Sequence, residues 1–340
     1  MKKTLYILIL IIVIIFAFSS CENKEHFHEF SEWAITENAS CTVEGIKERT
    51  CFCGETEIEK IEITPCDFVD EICTMCKNKK GTSEGLLMEN TGYEYAVVRG
   101  IGSCTDTEII IPNYFEGLPV TRISEGAFSH CENITSVVMG DNVQFIDGSA
   151  FEFCINLTNI TISDSVFSIG TAAFQYCTSL VNIQTSNDNR FMVGDSAFRG
   201  CTSLAQLPLS NIISIGVSSF HGCTALPSTL YFPESFSGAI GDGAFAYCTS
   251  IETIVFSNGI TKIGKNAFDY CTNLENIHFG ESLHTIGTDA FPSSSLVEQY
   301  PILSNLKATY ALSEAHWKGL VSNYGFIGKI TYNQPKPDMP

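Results

Sequence analysis

Along most of this chain the apolar positions recur every 22 to 25 residues. That period is too long for one face of a helix or strand, and it matches one turn of a stacked-repeat architecture. The dipeptide Ala-Phe, replaced once by Ser219-Phe220, ends at Phe128, Phe151, Phe174, Phe198, Phe220, Phe245, Phe268 and Phe291. Three residues after each of the first seven stands a cysteine: Cys131, Cys154, Cys177, Cys201, Cys223, Cys248 and Cys271. Three further on comes an aliphatic residue, such as Ile134, Leu157 or Leu274. A short alternating stretch follows, Ile160-Thr161-Ile162 or Ile254-Val255-Phe256 for example, and predicts a strand. A turn and the motif Val/Ile-x-x-Ile-Gly close the unit, as in residues 166–170 and 260–264. Eight copies in register predict a β-rich solenoid of short strands and turns.

A unit of this size cannot bury its own apolar face, so neighbouring units must supply the core to one another. The strand positions between the apolar ones then point outward and form the candidate binding surface: Thr135, Ser136, Thr158, Asn159, Asn182, Gln184, Glu252, Thr253, Asn276 and His278. Gly170, Gly216, Gly241, Gly264 and Gly287 predict either a positive φ or a close approach of backbones. Two units depart from the pattern. Residues 187–192 carry an extra residue and are expected to expose apolar side chains, and the unit holding residues 227–236 is stretched to 25.

The full consensus resembles the BspA-like leucine-rich repeat of surface proteins, over about residues 86–291. Tyr93-Glu94-Tyr95-Ala96-Val97, Ile109-Ile110-Ile111-Pro112 and residues 117–123 are similar to that family's lead-in coil. The resemblance implies a leucine-rich repeat fold and adhesion to other proteins. It does not by itself place a site, because such folds are scaffolds. The last copy has Ser294 where cysteine belongs, as terminal repeats cap an exposed core. Residues 292–332 are expected to form that cap, with a short helix over 314–321, and residues 333–340 a disordered tail.

The other end has a different character. Lys2 and Lys3 precede an unbroken apolar run over residues 5–18, too short to span a membrane and followed by small residues, which is the form of a signal peptide over residues 1–20. An uncleaved signal anchor is the competing reading. Phe18-Ser19-Ser20-Cys21 resembles a bacterial lipobox, with Phe18 where leucine is usual. That resemblance implies lipid attachment at Cys21 and residues 21–27 as a tether. The expected location is the cell surface or outer envelope through the lipid anchor, with simple secretion as the alternative.

Residues 28–80 hold a second population of cysteines: Cys41, Cys51, Cys53, Cys66, Cys73 and Cys76. With His28, Phe30, Trp33, Arg49 and Gly54 they resemble a small cysteine-rich module of Gram-positive surface proteins. Six thiols in an exported module fit disulfides. The Cys73-x-x-Cys76 spacing, with His28 nearby in sequence, also fits zinc, and free thiols are a third reading. Zinc is the one cofactor the sequence admits.

The seven repeat cysteines read instead as a structural core ladder, since cysteine is among the most buried residue types. Strand spacing along a stack is wider than a disulfide prefers.

Lys plus Arg total 19 against 38 Asp plus Glu, for a net charge of −19, which argues against nucleic acid and anionic lipid as partners. No nucleophile elbow, zinc-protease motif or phosphate-binding loop occurs in the sequence. His130 and His221 fall in loop positions and read as exposed. Asn133, Asn156 and Asn159 open glycosylation sequons that read as by-products of the repeat. The chain is therefore expected to be a non-enzymatic, exported, lipid-anchored adhesion or binding protein with an extracellular or surface protein as ligand. A purely structural spacer and an envelope enzyme are the alternatives.

Overall fold

The computed structural model describes residues 30–37, 45–51, 56–62, 68–69, 72–73, 78, 81–186, 189–236, 238–292, 299, 303, 306–310, 313–314, 318 and 329–332. They fall into two compact units, residues 1–80 and 81–340. The expected signal peptide, tether and tail lie outside the described residues, as does most of the helix expected over 314–321. Within that stretch Glu314 and Lys318, four residues apart, form an ion pair of 2.7 Å.

The smaller unit contains a three-stranded antiparallel sheet, Ala34–Glu37, Gly45–Thr50 and Thr56–Ile61, and a short hairpin of Phe68–Val69 with Ile72–Cys73. The middle and last strands pair from Gly45 opposite Ile61 to Thr50 opposite Thr56. Cross-strand charges face each other there, Lys47 with Glu59 at 2.9 Å and Arg49 with Glu57 at 2.6 Å. The same cations lie over Trp33, at 4.8 Å for Lys47 and 4.6 Å for Arg49. A sheet so poor in aliphatic residues is held by these pairs and by aromatic contact with the cations.

The larger unit is a β-solenoid. One long sheet runs through it: the antiparallel pair Leu87–Asn90 and Ala96–Gly100, then parallel rows Leu118–Ile123, Phe145–Ile146, Ser168–Ile169, Phe191–Val193, Ile212–Ile215, Ala239–Ile240, Lys262–Ile263 and Thr285–Ile286. Most of these rows are the Val/Ile-x-x-Ile motif, too short to announce a strand by alternation. A second column of strands, the one the sequence predicts, is split in two. Glu108–Ile110, Ser136–Val138, Asn159–Thr161 and Asn182–Gln184 form one sheet. Thr229–Tyr231, Thr253–Val255, Asn276–Phe279, Lys307–Tyr310 and Lys329–Tyr332 form another. Between them the coil through Leu207 and Pro208 has no strand. Proline offers no N–H to a ladder, so the row cannot be completed there. The strands after Phe291 continue the sheet in register, Asn276 opposite Lys307 and Lys307 opposite Lys329. The segment read as a cap therefore adds two further rows.

The core lies between the columns. The eight repeat phenylalanines stack face to face with ring centroids 4.9–5.5 Å apart, close to the strand spacing that sets the rise per coil. Burial of each ring contributes about 1.5–3 kcal/mol.

Where the repeat varies, the core is refilled. In the stretched unit Phe232 and Phe236 meet edge to face at 5.6 Å, both fully buried. In the unit with the extra residue Phe191 turns inward, contrary to the expectation of exposure, and its pairing with the next row shifts register because Ile213 stands unmatched between Ile212 and Ser214.

The repeat glycines are required by close approach and not by a positive φ. A Cβ on Gly241 would lie 2.5 Å from the backbone of Gly216, and one on Gly216 would lie 2.6 Å from that of Gly194.

Candidate functional site

The outward polar residues predicted from the sequence do lie on the split column, but the break at Pro208 divides them. Thr135, Ser136, Thr158, Asn159, Asn182 and Gln184 belong to the first short sheet or its leading edge, and Glu252, Thr253, Asn276 and His278 to the second.

Many of their polar groups are already engaged between coils. Thr135 donates from Oγ1 to the Thr107 carbonyl at 3.1 Å, and Thr158 to the Thr135 carbonyl at 2.9 Å. Asn182 donates to Asn159 Oδ1 at 3.3 Å, while Asn159 donates to Thr158 Oγ1 at 2.9 Å. His278 shares a 2.6 Å hydrogen bond with Thr309, and burial lowers its pKa, which favours the neutral ring. Gln184 and Glu252 are the exposed members of the set. Parallel in-register stacking puts like residues one above another, so a polar column forms hydrogen bonds along itself before it meets any ligand.

The thiol ladder has a geometric cause. Cys154, Cys177, Cys201, Cys223, Cys248 and Cys271 are fully buried. Each donates its S–H to the carbonyl of the phenylalanine one coil earlier, at 3.1–3.3 Å. The same carbonyl accepts an amide N–H within its own coil: Phe128 O takes Cys131 N at 3.0 Å and Cys154 Sγ at 3.1 Å. Cysteine is small and apolar enough for the site and still gives the second lone pair a donor. Burial pushes the pKa values of Cys177, Cys201, Cys223, Cys248 and Cys271 up. A thiol held protonated is a poor nucleophile. Cys131, at the start of the column, is only half-buried, and so is Cys104, which the repeat spacing had not included.

Beside the ladder, on the outside of the coil, lies a second aromatic row at left-handed backbone positions. His130 stacks on Phe153 at 4.8 Å, Phe153 on Tyr176 at 4.9 Å, and Tyr247 on Tyr270 at 4.4 Å. His221, read from the sequence as exposed, is half-buried and leans on Tyr247 at 5.0 Å; burial and then the charge of Arg199 lower its pKa.

In the N-terminal unit, Cys51 is buried and bridges Phe30 across the sheet, and Cys73 sits in the short hairpin opposite Phe68. Cys21, His28, Cys41, Cys53, Cys66 and Cys76 lie outside the described residues. Among the described residues no three His, Cys, Asp or Glu side chains converge as metal ligands would.

The sequence reading missed the large apolar residues on the outside of the long sheet, where Phe167 is exposed and Phe145, Met192 and Ile213 on the neighbouring coils are half-buried. Their signal was present in the two variable positions of Val/Ile-x-x-Ile, which include at least one large apolar residue in each of these coils and only polar residues at Thr261-Lys262 and His284-Thr285.

No curated protein matches this chain. Among solved structures it is similar to the leucine-rich repeat protein of T. pallidum at 21% identity, over 72% of this chain and 97% of that one, with a TM-score of 0.46. A leucine-rich cell surface protein of Faecalibacterium prausnitzii matches at 17% identity over 72% and 92%, TM-score 0.37. The pneumococcal vaccine antigen PcpA matches at 14% over 81% and 100%, TM-score 0.30. The profile of the BspA-type leucine-rich repeat region matches residues 102–226 and 191–310, which takes in every coil from the lead-in to the strand at Lys307–Tyr310. With its Phe and Cys ladders and its parallel coils, the chain belongs to the BspA-type leucine-rich repeat family.

Proposed function

We propose that this is an exported surface protein, anchored through lipid on Cys21, whose solenoid binds another macromolecule, an extracellular or surface protein. The observation that carries the reading is the division of labour in the repeat. Phe, Cys and Leu complete a continuous core, and the outward positions line a solvent-facing scaffold repeated from coil to coil. The leader, the lipobox-like residues and membership of a family whose resemblance implied adhesion support the location and the role.

Within this reading Gln184 and Glu252, the open members of the polar column, meet the ligand, and the cysteine-rich module serves as a stalk. Two measurements test it. Cys21→Ala should move the protein from the membrane fraction to the medium. Pull-down from intact cells against host matrix and bacterial surface extracts should yield a specific partner, lost on combining Glu252→Lys with Thr158→Arg and Asn182→Arg. Unchanged fractionation refutes the anchor. Absence of any partner leaves a structural spacer, and turnover of a model substrate would restore the enzyme reading.

A further inference from the structure

The aromatic row beside the thiol ladder is interrupted once. Two residues after the repeat phenylalanine stand His130, Phe153, Tyr176, Tyr247 and Tyr270 in five coils, and Gly200 and Gly222 in the two coils between them. All seven positions are left-handed, with φ from 57 to 74°. Five aromatic residues adopt that backbone, so glycine is not required there by φ. What it removes is a ring.

The gap has walls and a floor. Tyr176 tips over Gly200, where a Cβ would lie 2.5 Å from its ring, whereas a Cβ on Gly222 would meet nothing within 4 Å. Tyr176 and Tyr247 are three coils apart, about 14 Å at the strand spacing. His221 takes up one of these intervals by leaning on Tyr247 at 5.0 Å. A slot of about 9 Å along the stack is left above Gly222 between Tyr176 and His221, the room that one stacked ring needs.

The charge in this region is opposite to that of the chain. Residues 196–233 contain no Asp or Glu, although acids outnumber bases 38 to 19 overall. Arg199, next to Gly200 and half-buried, has no hydrogen-bond or ion-pair partner for its guanidinium among the described residues. A partly buried cation without a partner favours an anion beside it. The glycine amides are not free to cradle a phosphate, since Gly200 N–H donates to His221 O and Gly222 N–H to Ala246 O, both at 2.8 Å. One guanidinium alone matches a single carboxylate. Two residues past the glycines, the exposed Thr202 and Thr224 donate their hydroxyls to Thr178 O and Thr202 O at 3.3 Å, which leaves the hydroxyl oxygens as acceptors.

We propose that this slot binds a carboxylated sugar residue of a surface glycan, a uronic or sialic acid, with its ring between Tyr176 and His221 and its carboxylate on Arg199. Such a residue combines the three things the slot offers partners for: an apolar C–H face for the rings, one negative charge for Arg199, and hydroxyl donors for Thr202 and Thr224. The inference rests on the reading of the chain as a surface-binding protein and goes beyond it, because the slot lies apart from the polar column and its ligand is a saccharide.

Saturation-transfer NMR and calorimetric titration of the full chain test it, with methyl glucuronide and the methyl glycoside of N-acetylneuraminic acid as probes. One of these acids should bind about tenfold or more tightly than methyl glucoside, as a charge-assisted hydrogen bond allows. Arg199→Gln should erase that preference. Gly222→Tyr completes the row at a φ that sister coils give to tyrosine, so it should abolish binding with the thermal unfolding midpoint unchanged. Glu252→Lys should leave binding intact. Binding that survives Gly222→Tyr, or no preference for an acid over methyl glucoside, overturns the assignment. So does failure of both acids to bind, and the broader reading is then judged by the cell pull-down alone. Equal binding of N-acetylglutamate would mean a carboxylate site indifferent to sugar, and tighter binding of adenosine monophosphate a nucleotide site; each refutes the proposal.

Discussion

Replacing Cys223 by alanine probes the thiol ladder at its centre. The side chain is fully buried and donates to Phe198 O at 3.2 Å. Alanine removes one sulfur and leaves a small cavity. The Phe198 carbonyl is not orphaned, because Cys201 N still reaches it at 3.1 Å within its own coil. The cost is therefore mainly lost transfer and packing energy, on the order of 1–2 kcal/mol. Cys223→Arg would instead bury an unpaired charge and should prevent folding. Urea unfolding followed by intrinsic fluorescence measures the first variant, and partner binding should survive it because the sulfur faces inward. A parallel assay is native alkylation with iodoacetamide, mapped by peptide mass spectrometry. Cys104 and Cys131, half-buried, should react first; Cys154, Cys177, Cys201, Cys223, Cys248 and Cys271 should react only after denaturation. Rapid labelling of Cys154 or Cys177 in the folded protein, or a loss well beyond that of a small cavity, would refute the packing account and reopen a redox role.

Two further outcomes follow from the same core. Burial holds the pKa values of Cys177, Cys201, Cys223, Cys248 and Cys271 above those of an unfolded thiol, so above about pH 8.5 the unfolded chain binds fewer protons than the folded one and stability falls as pH rises. The slope is about 1.4 kcal/mol per pH unit for each thiol, so unfolding free energies between pH 8 and 10 should decline steeply and Cys223→Ala should decline less; a flat profile refutes the burial. Ser219 occupies the alanine position of its repeat, fully buried with no hydrogen-bond partner for its hydroxyl. Ser219→Ala should stabilise the protein by about 1 kcal/mol in urea unfolding, and a destabilised variant would mean the hydroxyl is satisfied.

The register of the eight repeat phenylalanines, seven of them followed by Cys three residues on, was legible in the chain because an apolar period of about 23 residues has one economical solution, a stack in which each coil buries its neighbour. The inward fate of the Phe, Cys and Leu positions follows from that period, and so does the requirement for glycine where coils touch. Other features arise only when coils stack. The Val/Ile-x-x-Ile motif is too short to show strand alternation, and it becomes the longest sheet because the coil above supplies its hydrogen bonds. Pro208 is an ordinary residue in the sequence and a break in a sheet once its missing N–H faces a neighbouring row. Thr158 and Asn159 look like free surface groups until the coils before and after bring Thr135 and Asn182 within hydrogen-bond reach. Phe145 and Phe167 lie 22 residues apart along the chain, and only the close spacing of adjacent coils brings their rings edge to face.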